Sequence, residues 1–258
     1  MAAKKVTFAD IAKYTNFSKT TISRYFNNPD SLTLENQEKI ASALEELGYQ
    51  ENKLAKVLAN GKSEFVGIII PNLYLHYYSE MLNQILSSYS DYHYKFLVFV
   101  SSDKKELEQQ YLDELMAYKI EGLIVLSHTF SSEELASYHI PIVAIEREAQ
   151  HICSVDTDNY MGAVQAASLL IHNGCDVLLH INVPVPEKVP AFRRIRGFED
   201  TCREQNIPYN LILRDLGNTY ETTFEAIKEV FEEIEASYPG KKKGVFLAND
   251  TYANIFLN

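Results

Sequence analysis

From Phe65 onward the chain alternates short, unbroken apolar runs with amphipathic stretches, and few architectures accept that pattern. The runs are Phe65–Ile70, Lys95–Val100, Gly122–Ser127, Pro141–Ile145, Val177–Asn182, Leu211–Arg214 and Gly244–Leu247. Helical spacing fills the gaps, near 76–90, 103–119, 131–138, 159–173, 192–205 and 219–236. A strand that is apolar on both faces must be covered on both faces. The pattern therefore predicts an α/β fold with parallel sheets between layers of helix. Seven strands fit one large sheet or two smaller ones.

The first 50 residues follow a different rule. Thr7-Phe-Ala-Asp10 places a hydroxyl cap three residues ahead of a carboxylate, a helix start. Phe8, Ile11 and Ala12 make its apolar stripe, Asn16-Phe17 breaks it, and Ser18 caps a second helix running to about Tyr25. Asn27-Asn28-Pro29-Asp30 is a loop by turn chemistry. Thr33 opens a third helix with Ile40, Ala43, Leu44 and Leu47 on one face, and Gly48 fits its left-handed C-terminal position. Two short helices about a tight break form a helix–turn–helix. Lys19, Thr20 and Arg24 on the second helix suit base edges, and Thr7, Ser18, Thr21 and Ser23 suit phosphates. A small helical subdomain with solvated polar residues fits the same pattern.

Charge is uneven along the chain. Its 24 basic and 35 acidic residues give a net −11, which by itself argues against nucleic acid. Residues 1–28, however, carry Lys4, Lys5, Lys13, Lys19 and Arg24 against Asp10 alone, a net of +4. Residues 65–258 carry 15 basic and 27 acidic side chains. A basic tip on an acidic body orients an encounter with a duplex. Residues 51–64 are polar with sparse apolar positions at Leu54, Ala55 and Leu58. That is too short for a helix stable alone in water, so it is expected to be a linker whose helicity depends on a partner.

Several classes are excluded. No apolar run approaches the ~20 residues that span a bilayer. Met1-Ala-Ala-Lys-Lys-Val lacks an apolar signal core, so the expected location is the cytoplasm. Cys153, Cys175 and Cys202 are too few and too scattered for a disulfide framework or a metal knuckle. No glycine-rich phosphate loop or Gly-x-Ser-x-Gly elbow is present, and no Cys/His set has metal spacing. Asp158-Asn-Tyr opens a helix, where a carboxylate is an ordinary cap. No catalysis, metal or cofactor is expected.

The segment Val6-Thr-Phe-Ala-Asp-Ile-Ala-Lys-Tyr-Thr-Asn-Phe-Ser-Lys-Thr-Thr-Ile-Ser-Arg-Tyr-Phe-Asn-Asn28 resembles the N-terminal signature of the lactose-repressor (LacI/GalR) family. The resemblance continues through Ala43-Leu-Glu-Glu-Leu-Gly-Tyr49, Asn52-Lys-Leu-Ala-Lys-Val-Leu58 and Val66-Gly-Ile-Ile-Ile-Pro-Asn72. It then takes in Glu121-Gly-Leu-Ile, Asp158-Asn-Tyr-Met-Gly162, Arg194-Ile-Arg-Gly-Phe198 and Ala248-Asn-Asp250. It implies a homodimer on a palindromic operator, with Lys19, Thr20 and Arg24 at base-reading positions and Asn27 at the end of that helix. It places Asn52, Ala55, Lys56 and Leu58 in a hinge helix that forms on the operator, with Leu58 wedging the minor groove. Without the resemblance, Leu58 reads as a small core contact. Lys56 stands where the family often has Arg or Gln.

For the body the resemblance implies a periplasmic-binding-protein-like core, two α/β subdomains around a ligand cleft. The implied divisions are a headpiece over 1–50, a hinge over 51–64 and subdomains over 65–160 and 161–258. Tyr77, Tyr78, Ser127, His128, Arg147, Arg194 and Asp250 match effector-binding positions, with Glu146 where the family usually has Asp. Planar aromatics suit a sugar face and charged groups suit vicinal hydroxyls, so a sugar or sugar-phosphate effector is implied. Tyr77 and Tyr78 also fit plain core or interface packing, and His128 a satisfied surface or core histidine. In the family the Ala-Asn-Asp motif is followed by a helix, further strands and a crossover. Here Asn258 follows Asp250 by eight residues, which implies an incomplete second subdomain and a weakened dimer. The implied function is a carbohydrate-responsive repressor, and the competing readings are a sugar-binding protein without a DNA role and a truncated regulator that binds DNA but no longer responds to effector.

Overall fold

The computed structural model describes residues 6–50, 61–147 and 150–258. The chain divides into two compact units, Met1–Gly61 and Lys62–Asn258. The first holds α1 (Phe8–Thr15), α2 (Lys19–Asn27), a 3-10 turn at Pro29–Ser31 and α3 (Leu34–Glu46). Asn16 takes φ 58°, which ends α1 and starts the turn toward α2. Ile11, Ala12, Ile22, Ile40 and Ala43 form a small core closed by Phe8, Phe26 and Tyr49, with Phe8 stacked on Phe26 at 5.2 Å. The end of α3 is a Schellman motif. Gly48 N donates to Glu45 O, and Tyr49 N to Leu44 O.

Among its described residues the second unit contains eight strands in two parallel sheets. The first sheet runs β2-β1-β3-β4-β5, with β1 Phe65–Ile70, β2 Lys95–Val100, β3 Gly122–Val125, β4 Ile142–Ile145 and β5 Cys153–Val155. The second runs β7-β6-β8, with β6 Val177–Asn182, β7 Tyr209–Leu213 and β8 Lys243–Leu247. β5 escapes the apolar-run rule because it is a three-residue edge strand whose first and last side chains are exposed. The expected third strand stops two residues early, which leaves Leu126 and Ser127 on the loop at its carboxyl end.

Helices follow the strands: α4 (His76–Ser87), α5 (Tyr89–Tyr92), α6 (Lys105–Ala117), α7 (Ser132–Ala136), α8 (Asn159–His172), α9 (Phe192–Glu204), α10 (Tyr220–Ser237) and α11 (Asp250–Leu257). In the first sheet, Ile69, Leu123 and Val125 pack with Leu112 and Leu115 of α6, while Ile68 and Ile70 pack with α4. In the second, Leu179 and Ile181 meet α10 and α11, and Leu178 meets α8 and α9. Helices α8 and α9 approach closely where Gly197 faces the α8 backbone. A Cβ on Gly197 would lie 2.4 Å from Tyr160 O.

Candidate functional site

In the helical unit α2 is capped by Ser18, whose Oγ accepts Thr21 N at 3.0 Å and lies 2.9 Å from Thr21 Oγ1. With Ile22 buried against the core, Lys19, Thr20, Arg24 and Asn27 are left exposed. Asn27 Nδ2 donates to Ser23 Oγ at 3.2 Å, which holds the end of this face together. The Thr7 hydroxyl donates to Asp10 Oδ2 at 2.6 Å. In the structure this exposed contact sits at the start of α1. Asn52, Ala55, Lys56 and Leu58 lie outside the described residues.

In the second unit the carboxyl ends of the strands bring together most of the residues singled out in the sequence. Arg194, on α9, donates from Nε to Asn159 Oδ1 at 2.6 Å and from Nη1 to Ala248 O at 2.8 Å. Asn159, at the start of α8 and 3% exposed, donates in turn to Glu146 Oε2 at 2.7 Å. The other Glu146 oxygen accepts the Thr157 backbone N–H and hydroxyl. A polar chain thus runs from the end of β4 in the first sheet to α9 on the second.

Tyr77 and Tyr78 form an edge-on pair with ring centroids 5.2 Å apart, but they differ in role. Tyr78 packs on Ile68, Ile70 and Leu126 as a core residue. Tyr77 has a buried hydroxyl with no hydrogen-bond partner among the described residues. Burial, then the Glu146 carboxylate, push its phenol up to about 12, while Arg194 opposes. Tyr74 carries a second buried, unpartnered hydroxyl.

Two expected effector contacts are turned inward. Ser127 is fully buried and donates to Glu108 Oε1 at 2.7 Å. Arg147 is 4% exposed, and its two terminal nitrogens donate to the backbone carbonyls of Ser127 and Phe130. The loop after β3 buries those carbonyls, and a planar guanidinium satisfies both at once. His128 is exposed at the same strand end. Crowding by protein, then the Arg147 charge, lower its imidazole to about 4, so it is neutral at physiological pH.

The two sheets also meet along α4 and α11. His76 N donates to Thr251 Oγ1 at 3.0 Å, and His76 Nε2 lies 3.9 Å from Asp250 Oδ2. Leu75 packs on the hydrophobic cluster of the second sheet. Asp250 is otherwise exposed. Sequence reasoning missed Asn159, Tyr74 and Thr251. Asn159 sits within the Asp158-Asn-Tyr helix start, and that start was a signal for a cap rather than for a hub.

A helix–turn–helix unit and a two-sheet parallel α/β core with a polar seam between its sheets define a DNA-binding transcription regulator. Residues 7–52 match the family described as bacterial regulatory proteins, lacI family, and residues 63–253 match periplasmic binding proteins and sugar binding domain of LacI family. The chain belongs to the LacI family. It is 27% identical over 260 residues to the HTH-type transcriptional regulator GntR of Escherichia coli strain K12, covering 98% of this chain and 76% of that relative. It is 32% identical over 199 residues to the sucrose operon repressor of Streptococcus mutans, covering 77% of this chain and 62% of that relative. Among solved structures, the Lac repressor dimer bound to operator and the anti-inducer ONPF superposes with a TM-score of 0.80 at 20% identity, covering 98% of this chain and 77% of that chain. That likeness bears on the fold. Among the described residues no helix is long and apolar enough to cross a membrane.

Proposed function

We propose that this protein represses genes of carbohydrate use, binding a palindromic operator as a cytoplasmic homodimer and leaving it when a sugar enters the cleft between the two sheets. The headpiece is residues 1–50, the hinge 51–64, and the two halves of the sensor are 65–160 and 161–258. Lys19, Thr20 and Arg24 read bases, while Ser18, Thr21, Ser23 and Asn27 position the helix on the backbone; the hinge contribution falls to Asn52, Ala55, Lys56 and Leu58. Tyr77, His128, Arg194 and Asp250 contact the effector.

The observation that carries the proposal is the chain from Glu146 through Asn159 to Arg194. A ligand seated on it touches both halves of the sensor, so its binding energy depends on how they are set against each other. A differential interaction of that kind is what shifts a two-state equilibrium. The test is selection of a preferred duplex from a random library, followed by fluorescence anisotropy on that duplex with and without a panel of sugars. Salt-dependent binding to a palindrome, released by one sugar, is expected. No affinity for any duplex at low salt would overturn it.

A further inference from the structure

The sugar-cleft proposal leaves two chemically opposed effectors, an uncharged sugar and an anionic one. The positive ends of helix dipoles gather at the carboxyl edge of a parallel sheet, and an anion would use them. In this protein three of those starts, at α6, α8 and α11, already hold carboxylates. Asp103 precedes α6, whose first turn carries Glu106 and Glu108. Asp158 caps α8 by accepting Met161 N at 3.1 Å, and Asp156 lies two residues before it, held by Ser154 Oγ at 2.8 Å. Asp250 opens α11. The first amide of α4, His76 N, is taken by Thr251 Oγ1.

The two arginines of the polar seam, Arg147 and Arg194, are similarly occupied. Both terminal nitrogens of Arg147 are held by backbone carbonyls. Arg194 has Nε and Nη1 engaged with Asn159 and Ala248, which leaves Nη2. A phosphate dianion prefers an open, bidentate fork, and neither guanidinium presents one. Uncharged hydroxyls, by contrast, are left without partners among the described residues. The Tyr74 and Tyr77 hydroxyls are buried, uncharged and unsatisfied, each able to donate and accept one hydrogen bond to a hydroxyl.

Resting on the sugar-cleft proposal, we infer that the effector is an uncharged sugar. Phosphate esters and aldonic acids are rejected by the carboxylates at the starts of α6, α8 and α11. The Tyr77 hydroxyl bonds a sugar hydroxyl, and Arg194 Nη2 bonds another.

The experiment is calorimetric titration of the full chain with pentoses, hexoses and disaccharides, each beside its own phosphate ester, and with gluconate as an aldonic acid. One neutral sugar should bind, with its phosphate ester at least 100-fold weaker. Tyr77→Phe should weaken the neutral sugar about tenfold. Asp156→Asn, at an exposed loop position, should narrow the gap between sugar and ester, and Asp103→Asn should do so independently. A phosphate ester or gluconate binding more tightly than every neutral sugar would overturn the inference while leaving the sugar cleft standing. An unchanged gap in both Asp variants would overturn the repulsion argument. Binding by neither set would remove the sugar cleft, and this inference with it.

Discussion

Arg194 Nε donates to Asn159 Oδ1 at 2.6 Å, and the same amide turns its nitrogen to Glu146 Oε2 at 2.7 Å. One buried asparagine therefore stands between a cation on the second half of the sensor and a carboxylate on the first. A direct ion pair would tie the two halves together without regard to geometry. An amide, with one acceptor and one donor end, ties them only when both face the right way.

Asn159→Ala leaves a buried carboxylate oxygen and a guanidinium N–H without partners. Each orphaned group costs about 1–3 kcal/mol. The expected result is a lower urea midpoint for the sensor and a blunted sugar response, with DNA affinity retained by the separate helical unit. Urea unfolding and operator anisotropy, read on one preparation, check both halves of the expectation.

Gly197 is fixed by the packing of α9 on α8. A methyl group there would lie 2.4 Å from Tyr160 O and 3.2 Å from the Ala163 Cβ, and a backbone carbonyl does not swing aside as a side-chain tip does. Overpacking of this kind costs about 1–3 kcal/mol. Gly197→Ala should lower the thermal midpoint of the sensor, and Arg194, three residues earlier on the same helix, should shift with it. A Gly197→Ala protein with unaltered stability would mean that the helices separate freely.

His180 is an acid-side liability built into the second sheet. Its ring is fully buried and stacks on Phe246 at 4.6 Å, and its Nδ1 is 2.9 Å from Phe246 O. A carbonyl only accepts, so Nδ1 carries the proton and Nε2 is left facing the Asn182 amide at 3.5 Å. Burial lowers the imidazole to about 4 from its ordinary 6.5. Folding therefore favours the neutral ring. Its stabilising contribution is complete above pH 6.5 and is lost as pH falls from there toward 4. The scale is on the order of 3 kcal/mol. Unfolding measured between pH 7 and 4.5 should show this loss, and His180→Asn, which keeps a donor for Phe246 O, should flatten it.

The sequence made some features legible and hid others for a physical reason. The caps at Ser18 and Thr33, the break at Asn16 and the glycine end at Gly48 are local devices, readable because partner and residue lie within a few positions. The continuous apolar runs likewise announced the parallel sheets. The nearness of Tyr77 and Arg194 was legible through order along the chain. Side-chain direction was not. Ser127 meets Glu108, 19 positions away, and Arg147 reaches back 17 positions to Phe130. Nothing local distinguishes a guanidinium that faces a ligand from one that caps a buried loop.

Arg24 is the sharpest test of the DNA-reading face. It is exposed on α2 beside Thr20 and Lys19, with the helix held on the far side by Ile22. A planar fork can grip guanine O6 and N7 together, whereas a lysine offers a point charge. Arg24→Ala should cost about 1–3 kcal/mol on the preferred duplex and relax preference at one base position. Arg24→Lys should restore the salt dependence without restoring that preference, because counterion release follows charge and not geometry. Thr21→Ala gives the contrast, since loss of a phosphate contact weakens all duplexes alike, and with no charge removed the salt slope stays the same. Anisotropy at several salt concentrations on matched and mismatched duplexes separates these outcomes. If Arg24→Ala weakened every sequence equally, Arg24 would be a backbone anchor, and base reading would pass to Thr20 and its neighbours.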